Sequence, residues 1–279
     1  MDSKHASFEE RWPKPSVMGV VNVTPDSFSD GGRFMSAAAA IEHGRRLAVE
    51  GAAIVDVGGE STRPGATPIS ADEELGRVEP VLEGLTGIPV SIDTSKADVA
   101  RRALELGAEM INDVTGLRGD PGMAAVVAEN DAFVCLMHMQ GDPRTMQAEP
   151  LYDDVVSEVL AFLDERLAFA VEAGIREARI CVDPGIGFGK TPDQNLELIS
   201  RLGELLTLGR PVLIGVSRKS TLGKALGDPQ ATRGSVPASV GAAVAAYERG
   251  AWMLRVHDVE ETVEALTVAA AIERGKVTA

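Results

Sequence analysis

Polar and ionisable residues recur where short apolar runs end along this chain. They are Asn22, Asp56, Asp93, Asn112 with Asp113, His138, Asp183, the run Ser217-Arg218-Lys219-Ser220, and Arg255 with His257. A single Asp at such a place is often no more than a helix cap. The whole set is harder to explain that way, because stability alone gives no reason to gather acids, amides and cations at equivalent positions. Two of the following segments are long and rich in turn residues. One runs from Asn22 to Arg33, the other from Gly58 to Ile69. Segments of this kind act as lids over reactive sites.

The apolar runs are Val17 to Val23, Ala53 to Val57, Pro89 to Asp93, Met110 to Val114, Ala132 to His138, Arg179 to Asp183, Pro211 to Val216 and Trp252 to Val256. They read as eight strands that are apolar on both faces, as in a parallel sheet covered by helices. Between them the helical period runs over Ala37–Glu50, Asp72–Leu85, Lys96–Leu106, Gly122–Glu129, Tyr152–Ala173, Pro192–Leu208, Pro237–Arg249 and Val259–Arg274. Gly51, Gly107, Gly174 and Gly250 stand where helices should end, a position that favours a residue without Cβ. Eight β/α units predict a single (β/α)8 TIM barrel, in which the active site lies at the C-terminal ends of the strands. An open doubly wound sheet is the alternative. The first strand-to-helix turn carries no G-x-G-x-x-G, which weakens a dinucleotide-binding reading.

The 279 residues suit one such barrel: residues 1–15 are expected to form a short, flexible, disordered N-terminal tail and 16–279 the domain. The formal net charge is −15, and no basic run or stripe offers a footprint for nucleic acid. Aromatics make up only 4%, so stacking platforms for single strands are not expected either. Any anionic substrate must then be held by a few placed Arg, Lys and His residues. Cys135 and Cys181 sit inside apolar runs and read as buried thiols. No signal-peptide pattern opens the sequence, and no stretch approaches a membrane-spanning length, so a cytoplasmic protein without membrane partners is expected.

Asn22-Val-Thr-Pro-Asp-Ser-Phe-Ser-Asp-Gly-Gly32 and Gly58-Gly-Glu-Ser-Thr-Arg-Pro-Gly65 resemble the two signature segments of dihydropteroate synthases. The resemblance continues through Ser91-Ile-Asp-Thr94, Ile111-Asn-Asp-Val114, Met137-His138, Asp183-Pro-Gly-Ile-Gly-Phe188, Ser217-Arg-Lys-Ser220 and Arg255-Val-His-Asp258. It implies an enzyme that joins a 6-hydroxymethyl-7,8-dihydropterin diphosphate to 4-aminobenzoate with loss of diphosphate, and a homodimer. Asp93, Asn112, Asp183 and Lys219 resemble the pterin contacts. An Asp carboxylate matches the paired amino and ring N–H of a pterin, and an Asn donates and accepts at once. Phe188 either packs near the ring or belongs to the core. Arg63, Arg255 and His257 are the expected diphosphate donors, the last two lying two apart on the eighth strand.

Asn22 resembles a Mg²⁺ ligand, and a single neutral oxygen suits an ion that keeps its hydration shell. Phe28, Thr62, Pro64, the Lys219 stem and Ser220 would house 4-aminobenzoate, its carboxylate at a helix start. Asp30 would help order the closed state, with Asp93, Asp183 and Lys219 as the remaining catalytic groups. His138 either lines the pocket or is a satisfied strand-end histidine. Thr221 departs from the bulkier residue that relatives often carry, which bears on the shape of the aminobenzoate pocket. The rivals are a pterin-binding homologue without synthase turnover and a folate-dependent corrinoid methyltransferase of the same fold.

Overall fold

A computed structural model describes residues 6–24, 37–62, 65–141, 145–146 and 150–277. The eight strands are β1 (Ser16–Asn22), β2 (Ile54–Gly58), β3 (Val90–Asp93), β4 (Met110–Asp113), β5 (Phe133–Met137), β6 (Ile180–Asp183), β7 (Leu213–Ile214) and β8 (Met253–Val256). All ladders are parallel, in the order β6-β5-β4-β3-β2-β1-β8-β7. A parallel bridge between Val182 and Val212, with Val182 N donating to Pro211 O at 3.0 Å, brings the two ends of the sheet together. This is the expected (β/α)8 barrel, not the open sheet.

The helices are α1 (Phe8–Arg11), α2 (Ala37–Val49), α3 (Ala71–Gly84), α4 (Ala97–Glu105), α5 (Met123–Glu129), α6 (Val155–Glu172), α7 (Pro192–Ser200), α8 (Ser220–Ala225), α9 (Val236–Glu248) and α10 (Val259–Arg274). Local chemistry sets several of their starts. The Ser70, Asp154 and Ser235 side chains each accept a backbone N–H of the first turn, and Thr191 and Gln194 form a reciprocal capping box. The helical pattern over 192–208 is not one helix. It breaks after Ser200 and continues as a 3₁₀ segment (Leu202–Leu208), with Gly203 inside the second piece.

Side chains two apart on a strand share a face, and this places the site. Met18, Ile54, Met110, Phe133, Cys135, Cys181, Leu213 and Met253 pack together inside the barrel. The residues two positions further along three of these strands, Asn112, Asp183 and Arg255, therefore project into the same interior one rung higher. So does Met137 above Cys135. The barrel has an apolar floor and a polar mouth, and both cysteines are buried free thiols as expected.

The expectation of a flexible tail over 1–15 is corrected for residues 6–15. Ser7 caps α1 through a reciprocal box with Glu10, and Phe8 and Trp12 are fully buried against Phe133 at the foot of the barrel. Ring centroids lie 4.9 Å apart for Phe8–Trp12 and 4.6 Å for Trp12–Phe133. Arg11 pairs with Glu109 at 2.7 Å, and the Trp252 indole N–H donates to Trp12 O at 2.6 Å. The polar composition of the segment hid two aromatic anchors that close the lower end of the interior. Trp12→Ala is expected to cost about 3–5 kcal/mol in urea unfolding, since it empties a packed aromatic site.

Candidate active site

Thr62, Asp93, Asn112, Val114, Met137, Asp183, Ile186, Phe188, Gly215, Lys219 and Arg255 line one cleft at the C-terminal mouth. Five expected polar groups, Asp93, Asn112, Asp183, Lys219 and Arg255, thus converge from five different strands or strand ends. The apolar wall comes from Val114, Met137, Ile186 and Phe188, and Phe188 packs against the cluster of Val114, Met137, Met139 and Met146. Phe188 is therefore both a cleft residue and a packing residue. A slot with one apolar wall and a polar rim suits a flat heterocycle.

Arg255 organises the polar side. Its Nε donates to Asp56 Oδ2 at 2.6 Å and its Nη2 to Asp93 Oδ2 at 2.8 Å. Asn112 Nδ2 donates to the same Asp56 oxygen at 3.0 Å. An ionised carboxylate only accepts, so the amide nitrogen faces Asp56 and the Asn112 carbonyl oxygen is what the cleft receives. Asp56 is fully buried, and the sequence, which places it among the polar groups at strand ends, gives it no specific role. Its position two beyond Ile54 on β2 was the available signal. Burial raises Asp93 to about 7, against the opposing pull of Arg255. Burial works against the Arg255 charge, but Asp56 and Asp93 outweigh it and hold the guanidinium firmly ionised.

Asp183 ends β6, and its Oδ1 accepts the Gly185 N–H at 2.7 Å. Burial raises its pKa, while that N–H and Lys219 oppose the rise. Lys219 donates to Ile186 O and lies 4.3 Å from the Phe188 ring centroid. Burial lowers its ammonium to about 8 against the attraction of Asp183. The turn between them needs glycine. At Gly185 (φ +69°) a Cβ would lie 1.9 Å from His138 O, and at Gly187 (φ +82°) it would come 2.9 Å from Lys219 Cδ.

Other expected residues are placed differently. His138 does not line the cleft. It is buried, and its Nδ1 meets Lys190 Nζ at 2.9 Å, so the satisfied strand-end histidine is what the fold contains. β8 ends at Val256, so the two-residue strand period carries Arg255 but not His257. His257 sits on Ser217, with Nδ1 and Oγ 3.2 Å apart. Ser220 opens α8 as expected, without lining the cleft. Thr221 turns away from the pocket: buried, it accepts Asn195 Nδ2 at 3.0 Å, and Asn195 Oδ1 accepts the Gly187 N–H at 2.7 Å. Its effect on the site runs through the 185–189 turn. Arg218 bridges to Asp258, joining the segment after β7 to the end of β8.

Asn22 ends β1 opposite Gly58. A Cβ on Gly58 would come 3.7 Å from Asn22 Oδ1 and 3.6 Å from Asp93 Oδ2, so both oxygens face one small space. The second long segment is anchored at its base: Lys96 Nζ donates to Glu60 at 2.7 Å and to the buried Glu74 at 2.5 Å, and Glu60 accepts the Ile69 N–H at 2.9 Å. Phe28, Asp30, Arg63 and Pro64 lie outside the described residues.

Both His138 and His257 are held neutral, burial lowering them to about 2 and about 3. Unfolded imidazoles titrate near ~6.5, so the unfolded chain binds more protons below that pH. Their contribution to stability is complete above about 6.5 and is lost as the pH falls towards the folded values. The urea midpoint of His257→Gln is expected to drop less than that of the parent between pH 7.5 and 5. Equal drops would remove His257 from the acid response.

The family model for pterin binding enzymes matches residues 18–257. Dihydropteroate synthase of Escherichia coli (strain K12) is 47% identical over 257 residues, covering 91% of this chain and 90% of that protein. Among solved structures, Xanthomonas albilineans dihydropteroate synthase with 4-aminobenzoic acid superposes with a TM-score of 0.85 at 51% identity, covering 94% of each chain. The same organism's enzyme in complex with 7,8-dihydropteroate gives 0.81 at 47% identity, again over 94% of each chain. With its polar barrel mouth, its ordered motifs and a match that spans most of its length, this chain belongs to the pterin binding enzyme family.

Proposed function

We propose that the cleft carries out dihydropteroate synthesis, transferring the pterin methylene of a 6-hydroxymethyl-7,8-dihydropterin diphosphate from diphosphate to the amine of 4-aminobenzoate. The observation that carries this is the convergence of complementary groups in one slot: Asp183 and the Asn112 carbonyl as acceptors, Lys219 as donor, and an apolar wall beside them. Asp183 accepts the paired amino and ring N–H of the pterin, Asn112 and Asp93 take the adjoining edge, and Lys219 donates to the ring carbonyl and a ring nitrogen. Phe188 packs the ring. The Xanthomonas albilineans enzyme was solved with 4-aminobenzoic acid and in complex with 7,8-dihydropteroate, which supports this reading.

The aniline lone pair is shared with its ring, so the electrophile must be strong. The C–O bond to diphosphate breaks first and diphosphate leaves with the electron pair. Asp93 and Asp183 offset the positive charge left on the pterin, whose conjugated ring spreads it. The amine then forms the C–N bond, and its surplus proton passes to water. The chain supplies orientation and fixed charge and no side-chain nucleophile. Diphosphate binding is assigned to His257, as a neutral donor just beyond β8, and to Arg63. The Arg255 guanidinium contributes through the N–H groups that Asp56 and Asp93 leave free.

Asn22 fits a hydrated Mg²⁺, because a single neutral oxygen beside the Asp93 carboxylate leaves most of the coordination to water and phosphate. Among the described residues no cluster of His, Cys, Asp or Glu would bind a metal without such help. When bound, the ion would offset the charge gathering on the departing diphosphate. Thr62 and the Lys219 stem flank the aminobenzoate, with Phe28 and Pro64 as its further walls, Ser220 at its carboxylate and Asp30 ordering the closed state. A homodimer belongs to the same proposal, and the exposed Val268 and Ile272 of α10 are candidate contacts, testable by analytical ultracentrifugation.

Diphosphate release is expected to require both 4-aminobenzoate and Mg²⁺ and to match dihydropteroate formed; release that ignores the amine would mark a hydrolase instead. Asp183→Asn is expected to weaken dihydropterin binding about 10–100-fold, the scale of losing charge-assisted hydrogen bonds, as read by calorimetry. Arg255→Ala is a poor probe of the diphosphate alone. It strands Asp56 and Asp93 without their counter-charge, so a stability loss of about 3–5 kcal/mol is expected with it.

A further inference from the structure

Behind the 185–189 turn lies a lysine that the reaction above does not use. Lys190 is 2% exposed, yet its ammonium sits at the centre of three acceptors. Nζ lies 3.0 Å from Gly185 O, 2.9 Å from Phe188 O and 2.9 Å from His138 Nδ1. Two of these belong to the turn and the third to the segment that follows β5. An ammonium carries three donors, so all are satisfied at once. Burying such a group is costly unless every bond is made. Other ties of the turn are single: Tyr152 Oη donates to Gly189 O at 2.8 Å, Gly187 N donates to Asn195 Oδ1 at 2.7 Å, and the Lys219 ammonium donates to Ile186 O.

The consequence falls on the cleft. The turn begins at Asp183, which accepts the Gly185 N–H, and it carries Phe188, over which Lys219 is poised. By drawing in the carbonyls of both Gly185 and Phe188, Lys190 fixes the two ends of the segment that presents these groups. Its charge also bears on Asp183: burial lowers Lys190 to about 7, and the nearest opposing pull is that carboxylate. Lys190 accordingly opposes the burial that raises Asp183.

We propose that Lys190 is a positioning residue for pterin recognition, holding the 185–189 turn against His138 so that Asp183 and Phe188 meet the ring. The inference rests on the functional reading of the cleft and deepens it. Because the turn presents Asp183 and Phe188 to the pterin and meets the aminobenzoate side only through Lys219, loss of Lys190 falls more heavily on the dihydropterin than on 4-aminobenzoate, whereas a general structural defect would weaken both alike.

The test compares Lys190→Met, Lys190→Gln and Tyr152→Phe with the parent protein. It measures calorimetric affinity for 6-hydroxymethyl-7,8-dihydropterin, KM for each substrate, and urea unfolding. Lys190→Met is expected to weaken the dihydropterin about tenfold or more, the scale of one charge-assisted hydrogen bond, while KM for 4-aminobenzoate moves less than about threefold by the same reasoning. Lys190→Gln, which keeps an N–H donor, should recover part of the loss. Tyr152→Phe removes a tie of the same turn without stranding a charge, and should weaken the dihydropterin alone by a smaller factor. Should the Lys190 variants fail to fold, Tyr152→Phe decides on its own: an unchanged dihydropterin affinity overturns the inference. A folded Lys190→Met with parental dihydropterin affinity, or with equal losses for both substrates, overturns it too. Parent protein that binds no dihydropterin overturns the functional reading and this inference together.

Discussion

One buried ion cluster sets the terms for the rest of the site. Arg255 enters the barrel mouth from β8 and is gripped by Asp56 from β2 and Asp93 from β3. Moving ions out of water costs several kcal/mol each, so none of these groups is stable there alone. The cost is offset only when the strands stand in the register that brings them together, β8 beside β1 and β1 beside β2. Asn112 joins the cluster through Asp56, which settles which end of its amide reaches the cleft. Asp56 is not itself part of the cleft lining, yet it orients two residues that are.

The same cluster explains how a strongly acidic protein handles an anionic substrate. The formal charge is −15, so attraction cannot come from the overall field. It comes from a few cations held in place by geometry: Arg255 by two carboxylates, and Lys219 over Phe188 beside Ile186 O. Fixed charges of this kind need no reorganisation when a leaving group gathers negative charge. The apolar floor of Met18, Ile54, Met110 and Phe133 keeps water from entering beneath them.

A second layer supports the glycine-rich turn after β6. Positive φ angles at Gly185 and Gly187 fold it tightly enough for Lys219 and His138 O to lie against it. Thr221, Asn195, Tyr152 and Lys190 then hold it from behind. The chain thus uses one set of residues to touch the cleft and another to fix the first set, and the second set comes from neighbouring β/α units. Thr221 shows why this matters: its place beside Ser220 suggests a pocket residue, while its hydroxyl serves the turn.

Much of this was legible in the order of residues alone. Eight apolar runs ending in polar groups specify a parallel barrel with a functional rim, because strand direction and strand period act locally. Hence Asp93, Asn112, Asp183, Lys219 and Arg255 were identifiable without coordinates. Residues whose work depends on contacts between distant segments were not. Asp56 becomes a partner of Arg255 only across 199 positions of chain, and Lys190 a partner of His138 across 52. The tail reading failed at Phe8 and Trp12 for the same reason: α1 is short and polar, and only the open foot of a closed barrel gives its two aromatics somewhere to go. Local pattern decided which residues face inward; closure of the sheet decided which of them meet.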